Sequence, residues 1–211
     1  LNAVETYCTD DFFGLLDDDE GQNINLTNQF LDIAIGRIPI TTADEAEKVV
    51  DKIMHYDNSS TLGEWRNNIT FIADDEDGNL HLDDAQIHVT NVEQNNPVYN
   101  IDKIYLDAYP QISTAGGSLY PDVNTAINNK IFSGTFIMNY VGHGGESGWS
   151  HERILRTEDI RNWRNLDQMP LFITATCSFS RYDNPEKESA GELLMTKSDG
   201  GGIALMTTVR L

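Results

Sequence analysis

Short apolar runs rich in β-branched residues alternate along this chain with stretches in which apolar residues recur at helical spacing. This alternation is typical of a parallel sheet whose strands are joined by crossover helices. The 211 residues are enough to bury one substantial core, and no shift in composition marks a second domain. We therefore predict a single α/β domain with a mainly parallel sheet.

The predicted strands occupy the apolar runs, and the predicted helices lie between them. We predict strands at residues 31–40, 68–73, 103–109, 135–141, 170–177 and in the run that begins at residue 202. We predict helices at residues 43–56, 85–92, 119–132, 157–165 and 187–197. Thr42 and Glu45 have the spacing of a capping box for the first helix. The expected buried stripe of that helix is Ala46, Val49, Val50, Ile53 and Met54.

Charge and cysteine content exclude several kinds of partner and site. Fourteen Lys and Arg against 34 Asp and Glu give a net charge of −20, which repels nucleic acid and anionic lipid headgroups. No apolar run approaches the roughly 20 residues that a membrane-spanning helix needs. Cys8 and Cys177 are too far apart in sequence for a Cys-x-x-Cys metal or redox pair. Neither cysteine identifies the compartment.

Three residues capable of catalysis follow predicted strands. Glu76 lies just beyond the strand that ends at residue 73, His143 just beyond the strand that ends at residue 141, and Cys177 at the end of the strand that begins at residue 170. In an open parallel sheet, loops from neighbouring strands converge at the carboxyl edge. We therefore expect these three side chains to share one rim.

A thiol, an imidazole and a carboxylate in one place indicate nucleophilic catalysis. The imidazole of His143 would activate the Cys177 thiol, and Glu76 would fix the tautomer of the imidazole. The backbone N–H groups of Gly144 and Cys177 would face a developing oxyanion. Each residue also has a simpler interpretation: Cys177 as a buried hydrophobe, His143 as a turn residue and Glu76 as part of a solvated acidic turn.

Other motifs predict no resident cofactor. GESG at residues 145–148 resembles a nucleophile elbow, but Trp149 stands where the second glycine is required. The acidic runs at residues 17–20 and 74–77 lack EF-hand spacing, so a loosely held structural calcium ion is the one cation they leave open. His55, His81, His88 and His151 show no zinc-type spacing, so no metal ligands are predicted among them.

Several of these stretches together resemble the gingipain family of cysteine peptidases. IGRIP at residues 35–39, WRNNITFIADDE at 65–76 and NYVGHGGESGW at 139–149 are similar to two strands and the histidine loop of that family. PLFITATC at residues 170–177 is similar to its nucleophile strand. The resemblance runs from about residue 10 to residue 211.

The resemblance implies a caspase-like three-layer α/β/α sandwich and a defined set of site residues. Cys177 would attack the scissile carbonyl, His143 would transfer the proton, and Glu76 would orient His143. The resemblance also implies substrate contacts by Trp149 and by Asp84, with Asp83 as an alternative to Asp84. The family domain would extend beyond both ends of this sequence, so we expect residues 1–211 to be the central fragment of a peptidase domain.

Within the family, residues 174–185 are most similar to the sortase of the type IX secretion system of Bacteroidetes. That similarity implies an exported enzyme at the cell surface or outer membrane, working with outer-membrane secretion components. Its substrates would be exported proteins whose C-terminal sorting domains it removes, with transfer of the acyl group to an amine as an alternative to hydrolysis. Two other functions stay open: a secreted gingipain-like degradative protease, and a catalytically inactive protein-binding module.

Overall fold

The structure, a computed structural model, describes residues 8–18, 20–21 and 30–210. Its strands are β1 (Asn68–Ala73), β2 (Asn100–Tyr105), β3 (Ile112–Thr114), β4 (Gly117–Leu119), β5 (Ile137–Val141), β6 (Gly144–Gly145), β7 (Gly148–Trp149), β8 (Leu155–Arg156), β9 (Leu171–Ala175) and β10 (Ala204–Met206). Its α-helices are α1 (Ala43–Tyr56), α2 (Leu80–Asn95), α3 (Pro121–Ser133), α4 (Thr157–Asn162) and α5 (Ala190–Thr196). None of the helices in the described ranges is long and apolar enough to cross a lipid bilayer.

A five-stranded parallel sheet forms the centre of the molecule, with the strand order β10-β9-β5-β1-β2. Alternate residues of β1 face opposite sides of this sheet, as the pleat requires. Phe71 packs with Val89 of α2 on one side, whereas Ile72 packs with Ile127 of α3 on the other. Helices therefore cover both faces, which confirms the predicted α/β/α sandwich with a mainly parallel sheet.

Helix α1 begins where the sequence predicts but packs differently. Thr42 and Glu45 form the capping box, because the Thr42 hydroxyl accepts from Glu45 N–H and the Glu45 carboxylate accepts from Thr42 N–H. Val49 is buried, as is the neighbouring Lys52. The prediction of a fully buried stripe is wrong, because no described element covers the rest of that face. Its exposed apolar residues are Val50, Ile53 and Met54.

Residues 31–40 do not form the predicted strand. A strand needs a neighbour for its hydrogen bonds, and no described sheet includes this segment. Side chains hold it instead: Arg37 forms an ion pair with Asp10 and lies 4.9 Å from the centre of the Tyr182 ring. The apolar pattern of residues 31–40 is typical of a strand, but the described part of the structure provides no strand for this segment to pair with.

The remaining predicted strands and helices are present, with some ends shifted by a few residues. The strand predicted at 68–73 matches β1 at both ends, whereas the helix predicted at 85–92 is the longer α2. Two short antiparallel features were not predicted: the β3–β4 hairpin and the small sheet of β6, β7 and β8. Strands of two or three residues have too short a pattern to be recognised by alternation.

Candidate active site

Cys177 and His143 follow two neighbouring strands of the central sheet. Strands β5 and β9 pair in parallel, and their last paired residues are Val141 and Ala175. The next hydrogen bond, from Gly142 N–H to Ala175 C=O at 3.1 Å, continues this pairing past the strand ends. His143 and Cys177 each come two residues after the last pair, so the sheet brings both to the same part of its carboxyl edge.

The backbones beside these two residues are in direct contact. A Cβ atom added to Gly144 would lie 2.4 Å from Oγ1 of Thr176, which is closer than side chains approach one another. Only glycine therefore allows the histidine loop to approach the end of β9 this closely. The contact brings the chain at Gly144 beside the chain that enters Cys177. The oxyanion hole formed by these two N–H groups stays a prediction.

Both backbone polar groups of His143 are fixed by buried or ordered partners. Its N–H donates to Oδ2 of Asp74 at 2.9 Å. Its carbonyl accepts from the hydroxyl of Tyr140 at 2.6 Å and from Ser150 N–H at 2.7 Å. Asp74 is 1% exposed and Tyr140 is fully buried. Strands β1 and β5 thus hold the histidine main chain from beneath.

Two carboxylates face the same nitrogen of the His143 ring. Oδ2 of Asp77 lies 3.0 Å from His143 Nε2, and Oε2 of Glu76 lies 3.4 Å from it. Both Glu76 oxygens also lie 3.1 Å from Nδ1 of His151. The structure therefore brings the predicted Glu76 to His143, but Asp77 makes the shorter contact. Nδ1 of His143 is the ring nitrogen that these carboxylates leave free for another partner.

Two further imidazoles surround the ring of His143. The His151 ring stacks on it with 5.2 Å between ring centres, and the His81 ring meets it edge-on at 5.1 Å. The hydrogen bond that Glu76 accepts from His151 raises the pKa of His151, and the negative charge of Glu76 adds to this effect. His143 thus lies in a group of three imidazoles and two carboxylates that its neighbours in sequence do not indicate.

Beneath this group lies a buried set of carboxylates. Asp74 and Glu152 are 1% and 8% exposed, and Asp75 accepts a hydrogen bond from the Tyr120 hydroxyl at 2.6 Å. Burial raises the pKa of Asp74, and the charges of Glu152 and Asp75 raise it further, although the N–H donors of His143 and Asp75 oppose the shift. Burial also raises the pKa of Tyr140, which keeps its hydroxyl protonated as a donor to His143.

Cys177 lies two residues beyond the carboxyl end of β9 and is partly exposed. Thr176 before it is buried, and Ser178 after it has a φ of 49°, in the left-handed region that non-glycine residues rarely adopt. The chain therefore turns sharply just after the thiol. Cys177 is a free cysteine, as is the exposed Cys8.

Trp149 occupies the core, which corrects its predicted contact with substrate. The side chain is fully buried, and its ring stacks on Tyr140 with 4.5 Å between centres. Phe172 and Phe179 also pack near it, at 6.1 and 5.6 Å. The large apolar surface of an indole favours this position. Trp149 thus supports the histidine loop from below and presents no ring surface to a substrate.

The histidine loop is joined to the segment that follows Cys177. The carboxylate of Glu146 accepts from Arg181 at 2.6 Å, and its backbone carbonyl accepts from Ala190 N–H at 2.7 Å. Burial favours a higher pKa for Glu146, but the hydrogen bond and charge of Arg181 outweigh it and lower that pKa. The two loops that carry His143 and Cys177 are therefore held together by an ion pair as well as by the sheet.

Two clefts lie near this edge of the sheet. One, of about 550 Å³, is lined by the histidine loop and includes His151 and Arg156. Another, of about 820 Å³, is lined by Arg37, Tyr182 and Arg210 but by neither Cys177 nor His143. Asp84 is exposed on α2, outside both linings. Its contact with substrate, like that of Asp83, stays a prediction.

The fold and the position of the thiol and imidazole define a caspase-like α/β domain of the gingipain type. The family model described as peptidase family C25 matches residues 2–211. The chain therefore belongs to peptidase family C25, the gingipain-like family of cysteine peptidases.

Solved structures agree with this assignment. The crystal structure of the Arg-specific cysteine proteinase gingipain R superposes with a TM-score of 0.70 at 19% identity, over 93% of this chain and 42% of that one. The complex of RgpB pro- and mature domains from Porphyromonas gingivalis gives 0.71 at 19% identity, over 95% and 44%. The chain thus spans less than half the length of these structures. No curated protein sequence matches it.

Proposed function

We propose that this chain carries the catalytic centre of a cysteine endopeptidase, with Cys177 as nucleophile and His143 as general base. The proposal rests on one observation above all. His143 is fixed through its backbone and through Nε2, and it emerges beside Cys177 from the paired ends of β5 and β9. An imidazole held in this way keeps Nδ1 for the thiol, which is the arrangement that activates a cysteine.

The proposed reaction follows from these positions. Nδ1 of His143 takes the proton of the Cys177 thiol, and the sulfur attacks the scissile carbonyl carbon. When the tetrahedral intermediate collapses, the carbon–nitrogen bond breaks, and the imidazolium gives its proton to the leaving amine. Water or an amine then attacks the acyl-enzyme and releases the thiol. Asp77 and Glu76 stabilise the imidazolium through Nε2.

Covalent labelling tests the nucleophile directly. Treatment of the protein with a peptidyl acyloxymethyl ketone should label one cysteine, and Cys177→Ala should abolish that labelling. Cys8→Ala is the matched control, since Cys8 is the other cysteine of the chain and is exposed. His143→Ala should reduce labelling strongly. Labelling that persists in Cys177→Ala would refute the assignment of the nucleophile, whereas no labelling of the parent protein would favour the inactive binding module.

We further propose that the enzyme is the sortase type of this family, acting at the cell surface or outer membrane on exported cargo. The support is the similarity of residues 174–185 to the type IX secretion sortase. In this proposal the acyl-enzyme passes either to water or to an amine of a surface acceptor, and secretion components of the outer membrane are the partners.

Mass spectrometry of the products distinguishes this role from general degradation. A cargo protein with a C-terminal sorting domain should be cut once, at the junction with that domain, and an added amine should appear on the new C-terminus. The same cargo without the sorting domain should remain intact. Cleavage at many sites in both forms would indicate the degradative protease instead.

A further inference from the structure

Three side chains at the base of the histidine loop bring together donor atoms of the kinds that bind metal ions. The cluster consists of Asp77, His81 and His143, and one ligand atom from each lies within 4.8 Å of the others. Oδ2 of Asp77 is 3.0 Å from His143 Nε2 and 3.7 Å from His81 Nε2. Asp77 precedes α2, His81 lies in its first turn, and His143 follows β5.

The distances and donor types suit zinc. Tetrahedral Zn²⁺ binds imidazole nitrogen and carboxylate oxygen at about 2.0–2.2 Å, so its ligand atoms are separated by about 3.3 Å. The separations of Asp77 Oδ2 from the two Nε2 atoms, 3.0 and 3.7 Å, lie on either side of that value. Two histidines and one carboxylate leave a fourth position for water or a further ligand. Oε2 of Glu76, 3.4 Å from His143 Nε2, is near this position.

His81 supplies an independent reason to expect a ligand. Its side chain is only 13% exposed, and its buried Nδ1 has no hydrogen-bond partner among the described residues. Within the described part of the chain no hydrogen bond reaches its Nε2, and Oδ2 of Asp77, at 3.7 Å, is too far away to make one. A buried ring nitrogen without a partner carries a desolvation cost. Coordination of a metal through Nε2 would satisfy the nitrogen that faces the cluster.

We propose that Asp77, His81 and His143 form a zinc site that switches the peptidase off. This part of the inference rests on the proposed function, because it takes His143 as the base. When Zn²⁺ takes the lone pair of Nε2, a neutral imidazole keeps its proton on Nδ1. That nitrogen then cannot accept the proton of Cys177. Removal of the metal restores the base without any change in covalent structure.

Calorimetric titration with Zn²⁺ tests the site without relying on activity. The titration uses Cys177→Ala protein, in which the thiolate cannot act as a competing ligand. We expect one Zn²⁺ per chain, and at least tenfold weaker binding when His81→Gln is added. The matched control is His88→Gln, since His88 is exposed on the same helix. Thermal unfolding midpoints show whether each variant remains folded.

The outcomes separate the site from the catalytic proposal. Absent zinc binding, or binding that His81→Gln leaves unchanged in a folded protein, would overturn the zinc site. In protein with Cys177 intact, Zn²⁺ should inhibit cleavage. The rates of each variant are normalised to its own rate without zinc. His81→Gln should then have a half-inhibitory zinc concentration at least tenfold higher than that of the parent. Zinc binding that depends on His81 in a protein with no peptidase activity would support the site and refute the catalytic assignment and the switch.

Discussion

The buried carboxylate of Asp74 accepts a 2.9 Å hydrogen bond from the backbone N–H of His143. Asp74 follows β1 directly, and His143 follows β5, the strand paired with β1. The backbone of His143 is therefore held by a buried carboxylate of the neighbouring strand. Asp74 also accepts a 3.3 Å contact from the hydroxyl of Tyr140, which donates its shorter hydrogen bond to the His143 carbonyl. The two side chains that hold the His143 backbone therefore also contact each other.

Replacement of Asp74 by alanine should lower kcat far more than it raises KM. Loss of the acceptor leaves His143 N–H without its partner, whereas Tyr140 keeps its hydrogen bond to the His143 carbonyl. The unpaired N–H costs about 1–3 kcal/mol of unfolding free energy. A small displacement of the base lowers the rate by about 100-fold. Steady-state kinetics and thermal unfolding measure both effects. The control is Asp51→Ala on the exposed face of α1, and equal kinetics in the two variants would contradict the positioning role.

Asp77 should contribute more to catalysis than Glu76. Asp77→Asn removes the carboxylate nearest His143 Nε2, at 3.0 Å, whereas Glu76→Gln removes one at 3.4 Å that also binds His151. We expect kcat to fall by about 10- to 1,000-fold in Asp77→Asn and by less in Glu76→Gln. Both variants are measured in metal-free buffer, so that any bound zinc does not alter the comparison. The reverse order would restore Glu76 as the principal orienting acid.

Gly148 should be far less tolerant of a side chain than Gly145, three residues earlier in the same loop. Gly148 has a φ of 148°, and an added Cβ would lie 1.9 Å from the carbonyl oxygen of Leu155. An added Cβ at Gly145 meets nothing within 4 Å. Gly148→Ala should cost about 1–3 kcal/mol, or several degrees in Tm. Gly145→Ala should stay close to the parent in calorimetry, and similar losses in both would show that the loop is built differently.

The central sheet was predictable from sequence because its strands bury one or both faces. Runs such as residues 68–73 are apolar and β-branched, and they require no knowledge of the rest of the chain to be recognised. The prediction failed at residues 31–40, where the same composition has no neighbouring strand among the residues that the structure describes. Local pattern records the tendency of a segment to be extended, whereas pairing depends on the tertiary structure.

The site was predictable only where a functional residue closely follows a strand that the sequence reveals. His143 and Cys177 could be found because each follows a strand, and those strands are neighbours in the sheet. Asp74 and Asp77 lie in the same acidic turn as Glu76, and the pattern of that turn does not reveal which carboxylate faces the ring. His81 reaches His143 only because α2 begins beside β5. Trp149 was assigned to substrate by resemblance, and its burial became evident only from the packing.

Because of Lys52, the free energy of unfolding should increase between pH 7 and pH 10.5. The side chain is 3% exposed, and Nζ donates to the carbonyls of Leu194 and Met195 at 3.3 and 3.1 Å. Burial, reinforced by the charge of Lys197, lowers the pKa of Lys52 to about 7, against 10.5 in an exposed lysine. Between these two values the unfolded chain binds more protons than the folded chain, so the contribution of Lys52 to stability rises with pH.

The neutral variant Lys52→Met removes this dependence. Below pH 7 the folded protein bears the full cost of the buried ammonium, and the cost falls as pH rises through 7 toward 10.5. The free energy of unfolding of Lys52→Met should therefore exceed that of the parent at pH 7. This difference between variant and parent should be larger at pH 7 than at pH 10 by on the order of 3 kcal/mol. Urea unfolding at both pH values measures the difference. Lys48→Met, on the exposed side of α1, is the control. If the difference in unfolding free energy between Lys52→Met and the parent is the same at both pH values, burial does not destabilise the charged form of Lys52.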